Sequence, residues 1–387
     1  MNDQQSEIIT QIRDTVKKVC EEFPGEYWRE KDRTRKYPTE FVKKLTELGL
    51  LSSLIPEEYG GSGLPLSIGV ETLIAIHEFG GNAAACHAQM YTMGTVLRHG
   101  NDTQKEKYLP DIASGNLRLQ AFGVTEPTAG TDTSSIATTA IRKGDKYIVN
   151  GQKVWTSRAE HSDLMVLLAR TTPKEQVQKR SQGLSVFLID MRDALKNGMS
   201  IKPIRTMINH NTTEIFFDEM TIPADSLIGE EGKGFKYILS GMNAERILIA
   251  GECIGDARWF IKKAADYARE RVVFQRPIGQ NQGIQFPIAK VYAQTEAAEA
   301  VLQKASALFE AGDTGGTYAN MAKMLASEAS WEAADICMQT HGGFAVAEEY
   351  DIERKFRESR LYRIAPISTN LILSYLAEHE LGLPRSY

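Results

Sequence analysis

The chain contains 387 residues, of which 25% are charged, and its formal net charge at pH 7 is −5. This acidic balance excludes the basic surface that would attract nucleic acid or anionic lipid, and no apolar run approaches the ~20 residues of a membrane span. A chain of this length has room for a large core, and we expect two or three folding units.

The N-terminus (MNDQQSE) is polar and acidic, unlike a signal or transit peptide, so we expect the mature chain to start at Met1. The four cysteines, Cys20, Cys86, Cys253 and Cys337, are far apart and include no CxxC pair. This spacing disfavours a disulfide framework and a thiolate zinc site, and the histidines show no HxxxH spacing. We therefore expect a cytoplasmic protein without a metal centre.

Residues from about 5 to 115 carry the apolar periodicity of helices. In residues 41–50 (FVKKLTELGL) apolar side chains recur at i, i+4 and i+7, and the pattern closes on a glycine. Residues 57–63 (EEYGGSG) are rich in turn formers. Residues 69–97 predict two further helices, broken near the Gly80-Gly81-Asn82 sequence.

From about residue 118 to 225 the helical period fades and short apolar runs replace it. Residues 147–149, 164–169 and 184–189 have the composition of β-strands. The Asn150-Gly151 pair, which leads into Val154-Trp155, predicts a hairpin turn. This region is therefore predicted to be a β-domain.

From about residue 230 the helical period returns in long stretches. These stretches cover residues 234–268, 282–311, 317–340 and 368–381. Long, weakly amphipathic helices of this kind are typical of a bundle that also forms subunit contacts. We predict an α+β multidomain chain, with helices in 1–117, a β-domain in 118–228 and a helical bundle in 229–387.

Glu245 lies inside an apolar helical segment, residues 241–251 (GMNAERILIAG). A carboxylate in such a setting must be solvated, paired or used, because burying an unpaired charge costs several kcal/mol. A pair with Arg246 is one explanation, although adjacent helical residues point about 100° apart and pair poorly. A catalytic role is the other.

Four motifs follow one another along the chain. Residues 121–132 (AFGVTEPTAGTD) are close to the A-x-x-[LIV]-T-E-P-x-A-G-S-D pattern of the acyl-CoA dehydrogenases, and residues 150–155 (NGQKVW) match that family's N-G-x-K-x-W strand. Residues 271–274 (RVVF) with Gln282 resemble its R-x-x-F-G-x-x-[IL]-x-x-x-Q segment, and residues 339–343 (QTHGG) resemble its Q-x-x-G-G turn. Each motif is weak alone, but four in order make the whole chain resemble this family.

The resemblance implies the family's fold, with an N-terminal helical domain, a β-barrel-like middle domain and a C-terminal four-helix bundle. It also implies a bound FAD. The residues that it assigns to the cofactor are Phe122, Val124, Thr125, Gly130, Thr131, Trp155, Ser157, Arg271, Phe274, Asn281, Gln282, Gln339, Gly342, Gly343, Ser368 and Asn370. Part of this set would come from a neighbouring subunit, which implies a homo-oligomer, usually a tetramer in this family.

Three of these cofactor residues have specific implied roles. Trp155 would pack against the isoalloxazine ring, and Arg271 suits the diphosphate because its guanidinium fork is bidentate and always charged. By the same resemblance Ser157 would hydrogen-bond the N5 edge. Trp155 as an ordinary core aromatic, and Arg271 as a surface charge beside Arg269, are the alternatives.

The activity implied by the resemblance is α,β-dehydrogenation of an acyl-CoA thioester to the trans-2-enoyl-CoA, with electrons passed to an electron-transfer flavoprotein. Thr131, Asn243 and Arg246 would bind the substrate. Most family members carry the base in a C-terminal Y-E-G-[TS] segment, where this chain has Pro366. The isovaleryl-CoA and long-chain types carry it on the helix that here holds Glu245, which is therefore the predicted base.

Pro366 raises a question about the thioester oxygen, because the family holds that oxygen with a flavin hydroxyl and the backbone N–H at this position. Proline has no N–H. Either the N–H of Ile367 substitutes, or the flavin hydroxyl acts alone, or the chemistry differs. The nearest alternatives to Glu245 as the base are Glu348, Glu349, Glu353 and Glu358. They are interpreted instead as one solvated charged stretch with Arg354, Lys355, Arg357 and Arg360.

Two other functions keep the fold. One is a non-oxidative elimination on the acyl-CoA thioester, which Pro366 motivates; the other is a silent binding protein, which the presence of Trp155 and Arg271 opposes. The position of Glu245 resembles enzymes for branched or long acyl chains, by analogy alone. Residues 83–85 (AAA), with Met90 and Met93, line a roomy acyl tunnel or serve close helix packing; the sequence leaves both open.

Overall fold

A computed structural model describes residues 3–312 and 316–385. The described chain forms two compact units. The first contains the residues up to Thr34, Pro65–Ala83 and the residues from Asn243 onward; the second contains Arg35–Leu64 and Ala84–Met242. Within the described part, every helix is too short or too polar to cross a membrane.

The N-terminal third is helical, as predicted. Its helices are α1 (Asp3–Glu22), α2 (Gly25–Thr34), α3 (Thr39–Glu47), α4 (Leu66–Glu78), α5 (Ala88–His99) and α6 (Asp102–Ser114). Helix α3 is followed by Gly49 at φ +69°, which confirms the predicted glycine end, because glycine adopts this left-handed conformation without a Cβ penalty. The predicted break at residues 80–82 separates α4 from α5.

The middle region forms one mixed sheet of eight strands. The strands are β1 (Leu119–Gly123), β2 (Thr139–Lys143), β3 (Lys146–Ser157), β4 (Leu164–Arg170), β5 (Leu184–Asp190), β6 (Met199–Pro203), β7 (Thr212–Pro223) and β8 (Leu227–Ile228), with the short helix α7 (Met191–Ala194) after β5. Their order is β6-β7-β3-β2-β4-β5-β8, and β1 pairs in parallel with β4. Strands β4 and β5 have apolar residues on both faces because each face meets a separate core cluster.

The predicted hairpin turn at Asn150-Gly151 is wrong, because β3 runs straight through this pair. The turn between β2 and β3 lies at Gly144, whose φ is +65°. Gly151 instead lies at a register shift against β7, and a Cβ there would meet Thr138 Oγ1 at 2.5 Å. The Asn150 amide holds this bulge by donating to Glu219 at 2.6 Å and accepting from the Glu219 N–H at 2.8 Å. An Asn-Gly pair is thus compatible with a β-bulge as well as with a hairpin turn.

The C-terminal region contains five helices among the described residues and a two-stranded hairpin. These elements are α8 (Gly234–Glu270), β9 (Val272–Val273), β10 (Arg276–Pro277), α9 (Gln282–Glu310), α10 (Thr317–His341), α11 (Ile352–Tyr362) and α12 (Thr369–His379). The four long predicted helices are confirmed to within a few residues. Helix α10 contacts α9, α11 and α12, and its buried alanines, such as Ala333 and Ala334, allow close approach.

The prediction that the charges of residues 348–360 form a solvated stretch is wrong for two of its members. Arg354 is 2% exposed and Lys355 is fully buried. The guanidinium of Arg354 pairs with Glu358 at 2.9 Å, and Lys355 Nζ pairs with the buried Asp256 of α8 at 2.6 Å. Since the partner of Lys355 lies about 100 residues earlier in the chain, local sequence cannot distinguish this pair from a solvated charge.

Candidate active site

The predicted base lies in a buried polar part of helix α8. Glu245 is 7% exposed, Arg246 is 6% exposed and Asn243 is 8% exposed. Arg246 Nη1 donates to Asn243 Oδ1 at 2.6 Å, one helical turn back, so its hydrogen bond goes to this amide. Burial lowers the pKa of Arg246, and the Glu245 carboxylate acts in the opposite direction.

Helix α8 carries two further buried carboxylates on the face of Glu245. Glu252 and Asp256 follow Glu245 by seven and eleven residues, which places all three within about 40° around a helix of 3.6 residues per turn. Glu252 accepts a hydrogen bond of 2.7 Å from Tyr362 Oη at the end of α11. Burial, followed by the Glu252 charge, raises the pKa of Tyr362 well above its usual value.

Asp256 lies at the centre of a buried charge cluster. Its Oδ1 is 3.0 Å from His77 Nδ1 and 2.6 Å from Lys355 Nζ. Burial alone would raise the pKa of Asp256, but the Lys355 and His77 partners hold it at about 2. These residues were not predicted from the sequence, although the recurrence of carboxylates at i, i+7 and i+11 in an apolar helix was a usable signal.

The turn between α11 and α12 carries Pro366 and Ile367. Lys323 Nζ, on α10, donates to the carbonyl oxygen of Ile367 at 2.7 Å. Burial lowers the pKa of Lys323 to about 8. The N–H of Ile367 makes no hydrogen bond within the described residues, so it is available to a ligand.

Ser368 and Asn370 lie where this turn leads into α12. The Ser368 hydroxyl accepts a 3.4 Å hydrogen bond from the N–H of Leu371, so it serves as the N-cap of the helix. Asn370 is exposed in the first turn.

A cavity of about 470 Å³ brings together four of the residues assigned to the cofactor, namely Arg271, Gln339, Gly342 and Gly343. Its lining residues are Tyr267, Arg271, Val273, Ile278, Gln339, Thr340, His341, Gly342, Gly343 and Phe344. Arg271 lies 5.8 Å from the centre of the Phe344 ring. Gly342 has φ +58°, and a Cβ at either glycine would meet nothing within 4 Å, so the backbone is open to a ligand.

Three other assigned residues lie outside the lining of this cavity. Phe274, at the tip of the β9–β10 hairpin, is 95% exposed. Asn281 precedes α9 and accepts a 2.7 Å hydrogen bond from Arg276, while Gln282 is exposed at the first position of that helix. None of the three lines the cavity.

In the second unit, a buried ion pair joins the first two sequence motifs. Lys153 Nζ, on β3, contacts Glu126 Oε1 at 2.8 Å and the Val124 carbonyl oxygen at 2.9 Å. The Glu126 carboxylate also accepts the N–H groups of Ala137 and Thr138, at 2.6 and 2.9 Å. Burial would raise the pKa of Glu126, but Lys153 and these hydrogen bonds hold it below its usual value. Glu126 and Lys153 both lie within the sequence motifs, but no role could be assigned to them from the sequence.

The ion pair sets the 122–131 segment beside the end of β3. The Thr125 carbonyl accepts the N–H of Val154 at 2.9 Å. Trp155 is 59% exposed at φ +62°, so the alternative of an ordinary core aromatic is wrong. Phe122 and Ser157 are half-buried.

The other assigned residues of this segment divide between the surface and the core. Gly130 and Thr131 are exposed, and a Cβ at Gly130 would meet nothing within 4 Å. The Val124 side chain packs in the core, which leaves only its backbone for a ligand. Met93 packs in the same cluster at 1% exposure, which favours close packing over a tunnel for this residue.

These features fit the FAD expected from the resemblance. The first unit offers a cavity with open glycines, an arginine and aromatic rings, which suits an adenosine diphosphate half. The second unit offers the exposed indole of Trp155, beside backbone held by Glu126 and Lys153, which suits a flat ring system.

Comparison with known proteins agrees with this arrangement. Residues 6–116, 121–220 and 232–379 match the family models of the acyl-CoA dehydrogenase N-terminal, middle and C-terminal domains. The chain is 34% identical over 391 residues to acyl-CoA dehydrogenase fadE12 of Mycobacterium bovis, covering 99% of this chain and 98% of that protein.

Two solved structures share the fold over nearly their whole lengths. Glutaryl-coenzyme A dehydrogenase in complex with glutaryl-CoA has a TM-score of 0.91 at 28% identity, covering 100% of this chain and 97% of that one. A chain from an electron transferring flavoprotein structure of Acidaminococcus fermentans has a TM-score of 0.91 at 29% identity, with 98% and 100% covered. The chain therefore belongs to the acyl-CoA dehydrogenase family and is an FAD-containing oxidoreductase that acts on a CH–CH bond.

Proposed function

We propose that this protein converts an acyl-CoA thioester to the trans-2-enoyl-CoA, with Glu245 as the general base. The observation that carries the proposal is the buried carboxylate of Glu245 on α8, at the position that the resemblance gives to the base in the isovaleryl-CoA and long-chain types. Bound FAD supplies the acceptor for the hydride that leaves the substrate β-carbon. Glu245 removes the α-proton, and exclusion of water strengthens the electrostatic interactions within the site.

Arg246 and Asn243 are proposed to bind the substrate, and their fixed geometry supports this role. The 2.6 Å hydrogen bond between them restrains a buried guanidinium next to Glu245 in sequence. Such a pre-organised cation and amide can orient polar groups of the CoA thioester without reorganising during the reaction. Thr131, exposed after Gly130, is the proposed contact to the CoA arm.

For the thioester oxygen, we favour the first of the three possibilities raised by Pro366. The Ile367 N–H is unused within the described residues, and its carbonyl is held by the buried Lys323. A backbone donor in a restrained turn is suited to stabilise the developing negative charge on this oxygen.

The cofactor assignments are supported unit by unit. Arg271, Gln339, Gly342 and Gly343 surround one cavity and are proposed to hold the diphosphate and adenosine half. Phe274, Asn281 and Gln282 do not line that cavity, which supports their proposed role in the site of a neighbouring subunit and hence a homo-oligomer, which we propose to be a tetramer.

The remaining cofactor residues are proposed to contact the flavin half. In the second unit these are Phe122, Val124 through its backbone, Thr125, Gly130, Thr131, Trp155 and Ser157, and in the first unit Ser368 and Asn370.

We propose an electron-transfer flavoprotein as the acceptor and fatty acid metabolism in the cytoplasm as the setting. The similarity to a chain from an electron transferring flavoprotein structure supports the acceptor. The four cysteines are buried and form no disulfide within the described residues, in keeping with a reducing compartment.

The test is an anaerobic titration of the purified flavoprotein with straight, branched and aryl acyl-CoAs, following the oxidised flavin band. Bleaching by one class establishes dehydrogenation and identifies the substrate class. Glu245→Gln is expected to retain FAD and to lose at least ~10³-fold of the bleaching rate, at the level of general base catalysis. Glu296→Gln, on the exposed face of α9, is the matched control.

Two results would contradict the proposal. Near-normal bleaching by the Glu245→Gln variant would remove Glu245 from the mechanism. If all thioesters shift the flavin spectrum and none bleaches it, the alternative of a non-oxidative elimination takes its place, and the products of the incubation then identify the leaving group.

A further inference from the structure

Within the described residues, the side chain of one buried arginine of the second unit has hydrogen-bond partners that are all imidazoles. Arg158 follows β3 at φ +59° and is 2% exposed. Its Nη1 lies 3.4 Å from His210 Nε2, and its Nη2 lies 3.3 Å from His87 Nε2. The third guanidinium nitrogen, Nε, is buried and has no hydrogen-bond partner in the part of the chain that the structure describes.

The two imidazoles do not neutralise Arg158. A guanidinium has only donors, so each Nε2 must be the accepting nitrogen of a neutral ring. In agreement, burial followed by the charge of Arg158 lowers the pKa of His210 well below its usual value. Within the described residues no carboxylate forms an ion pair with Arg158. The group is therefore a buried positive charge whose compensating anion is not among the described residues.

The position of Arg158 suggests the source of that anion. Arg158 directly follows Ser157, which is proposed to contact the flavin N5 edge. From the other side, the His87 ring lies 5.8 Å from Tyr91, and Tyr91 packs edge-on against Phe122 at 5.8 Å. Arg158 is thus adjacent in sequence to one proposed flavin contact, Ser157, and is linked to another, Phe122, through His87 and Tyr91.

We infer that Arg158 is an electrostatic residue that raises the reduction potential of the bound FAD. The inference rests on the proposed placement of the flavin beside Phe122 and Ser157. In the reaction the substrate β-C–H bond breaks, the hydride with its electron pair passes to the flavin, and the α-proton passes to Glu245, so the flavin gains one negative charge. A fixed positive charge in a water-poor site stabilises the reduced state more than the oxidised state.

The test is the midpoint potential of the FAD-loaded protein, measured anaerobically against a reference dye with a chemical reductant and no substrate. Arg158→Gln, which keeps donors and removes the charge, is expected to lower the equilibrium constant for reduction about tenfold, or about 30 mV for a two-electron couple. Arg158→Lys, which retains the positive charge, is expected to have a midpoint potential close to that of the wild type. Arg205→Gln removes an exposed charge of the same unit and is the matched control.

A second variant removes the net positive charge of this group without altering Arg158 itself. His210→Glu places a carboxylate at one of its partners and is expected to lower the potential as Arg158→Gln does, with FAD content measured separately in each variant. An unchanged potential in whichever of these variants retains FAD overturns the inference. The same holds if the potential stays constant while Arg158→Gln weakens binding of thioesters that carry a terminal carboxylate, since the anion is then the substrate.

These outcomes are separate from those of the proposed function. The potential is measured without an acyl-CoA, so a chain that bleaches with no thioester can still show the Arg158 effect. Conversely, normal bleaching with unchanged potentials supports the dehydrogenase proposal and overturns the inference alone.

Discussion

Loss of Lys153 is expected to destabilise the second unit and to weaken FAD binding together. Lys153→Met removes two hydrogen bonds of a buried ammonium, to Glu126 at 2.8 Å and to the Val124 carbonyl at 2.9 Å. Hydrogen bonds to charged groups contribute about 1.5–3 kcal/mol each, and breaking a buried pair on one side costs about 3–5 kcal/mol. Because Glu126 keeps its two backbone N–H donors, the expected loss in free energy of unfolding is near the lower end, about 3 kcal/mol.

The assay is urea unfolding of the wild type and the variant, with FAD content determined at equal protein concentration. Lys146→Met, at the exposed start of the same strand, is the matched control and is expected to change stability by no more than about 0.5 kcal/mol. The double variant Glu126→Gln/Lys153→Met should be less destabilised than the sum of the single variants, by about 1–3 kcal/mol. A loss below about 1 kcal/mol for Lys153→Met, or strict additivity, would refute the reasoning.

Three further predictions follow from the first unit. Arg271→Ala should lower FAD retention on gel filtration while Arg269→Ala, at the exposed end of α8, should not; equal retention would remove Arg271 from the cofactor site. Lys323→Met frees the Ile367 carbonyl and should lower kcat/KM by up to about 10²-fold with FAD content unchanged; an unaffected kcat/KM would show that the turn does not need this restraint. Because the folded-state pKa of Asp256 is lowered to about 2, its stabilisation is present above about pH 4 and disappears as pH falls toward 2. In acid unfolding, Asp256→Asn should flatten this step, worth about 2 kcal/mol, and an unchanged profile would assign the step to other carboxylates.

Helix positions were predictable because their signal is local. The apolar period and a closing glycine lie within a few turns, so α3 and the long C-terminal helices appear where expected. The prediction of a hairpin at Asn150-Gly151 was wrong because residues that tolerate unusual backbone angles occur both in turns and in bulges. Only the register of β3 against β7 shows which of the two is present. The prediction that Arg354 and Lys355 are solvated was wrong because their burial depends on packing against segments that are distant in sequence.

The candidate site, too, was predictable from the sequence only in part. Sequence motifs were sufficient to identify the family, to select Glu245 and to nominate the cofactor residues, several of which line one cavity. Whether those residues perform the assigned roles stays a prediction for the experiments above. The motifs could not show that Trp155 is exposed or that the Ile367 N–H is unused.

By itself, then, the sequence determined the order of helical and β regions, the family, and one carboxylate in an apolar helix, because each rests on residues that are neighbours along the chain. Only the tertiary structure decided which charges are compensated. Glu126 meets Lys153, Glu252 meets Tyr362, and Arg158 meets two imidazoles and no carboxylate within the described residues. The physical reason is that a buried charge is stabilised by whatever the fold brings within a few ångströms, and these partners lie from 27 to 110 residues away in sequence.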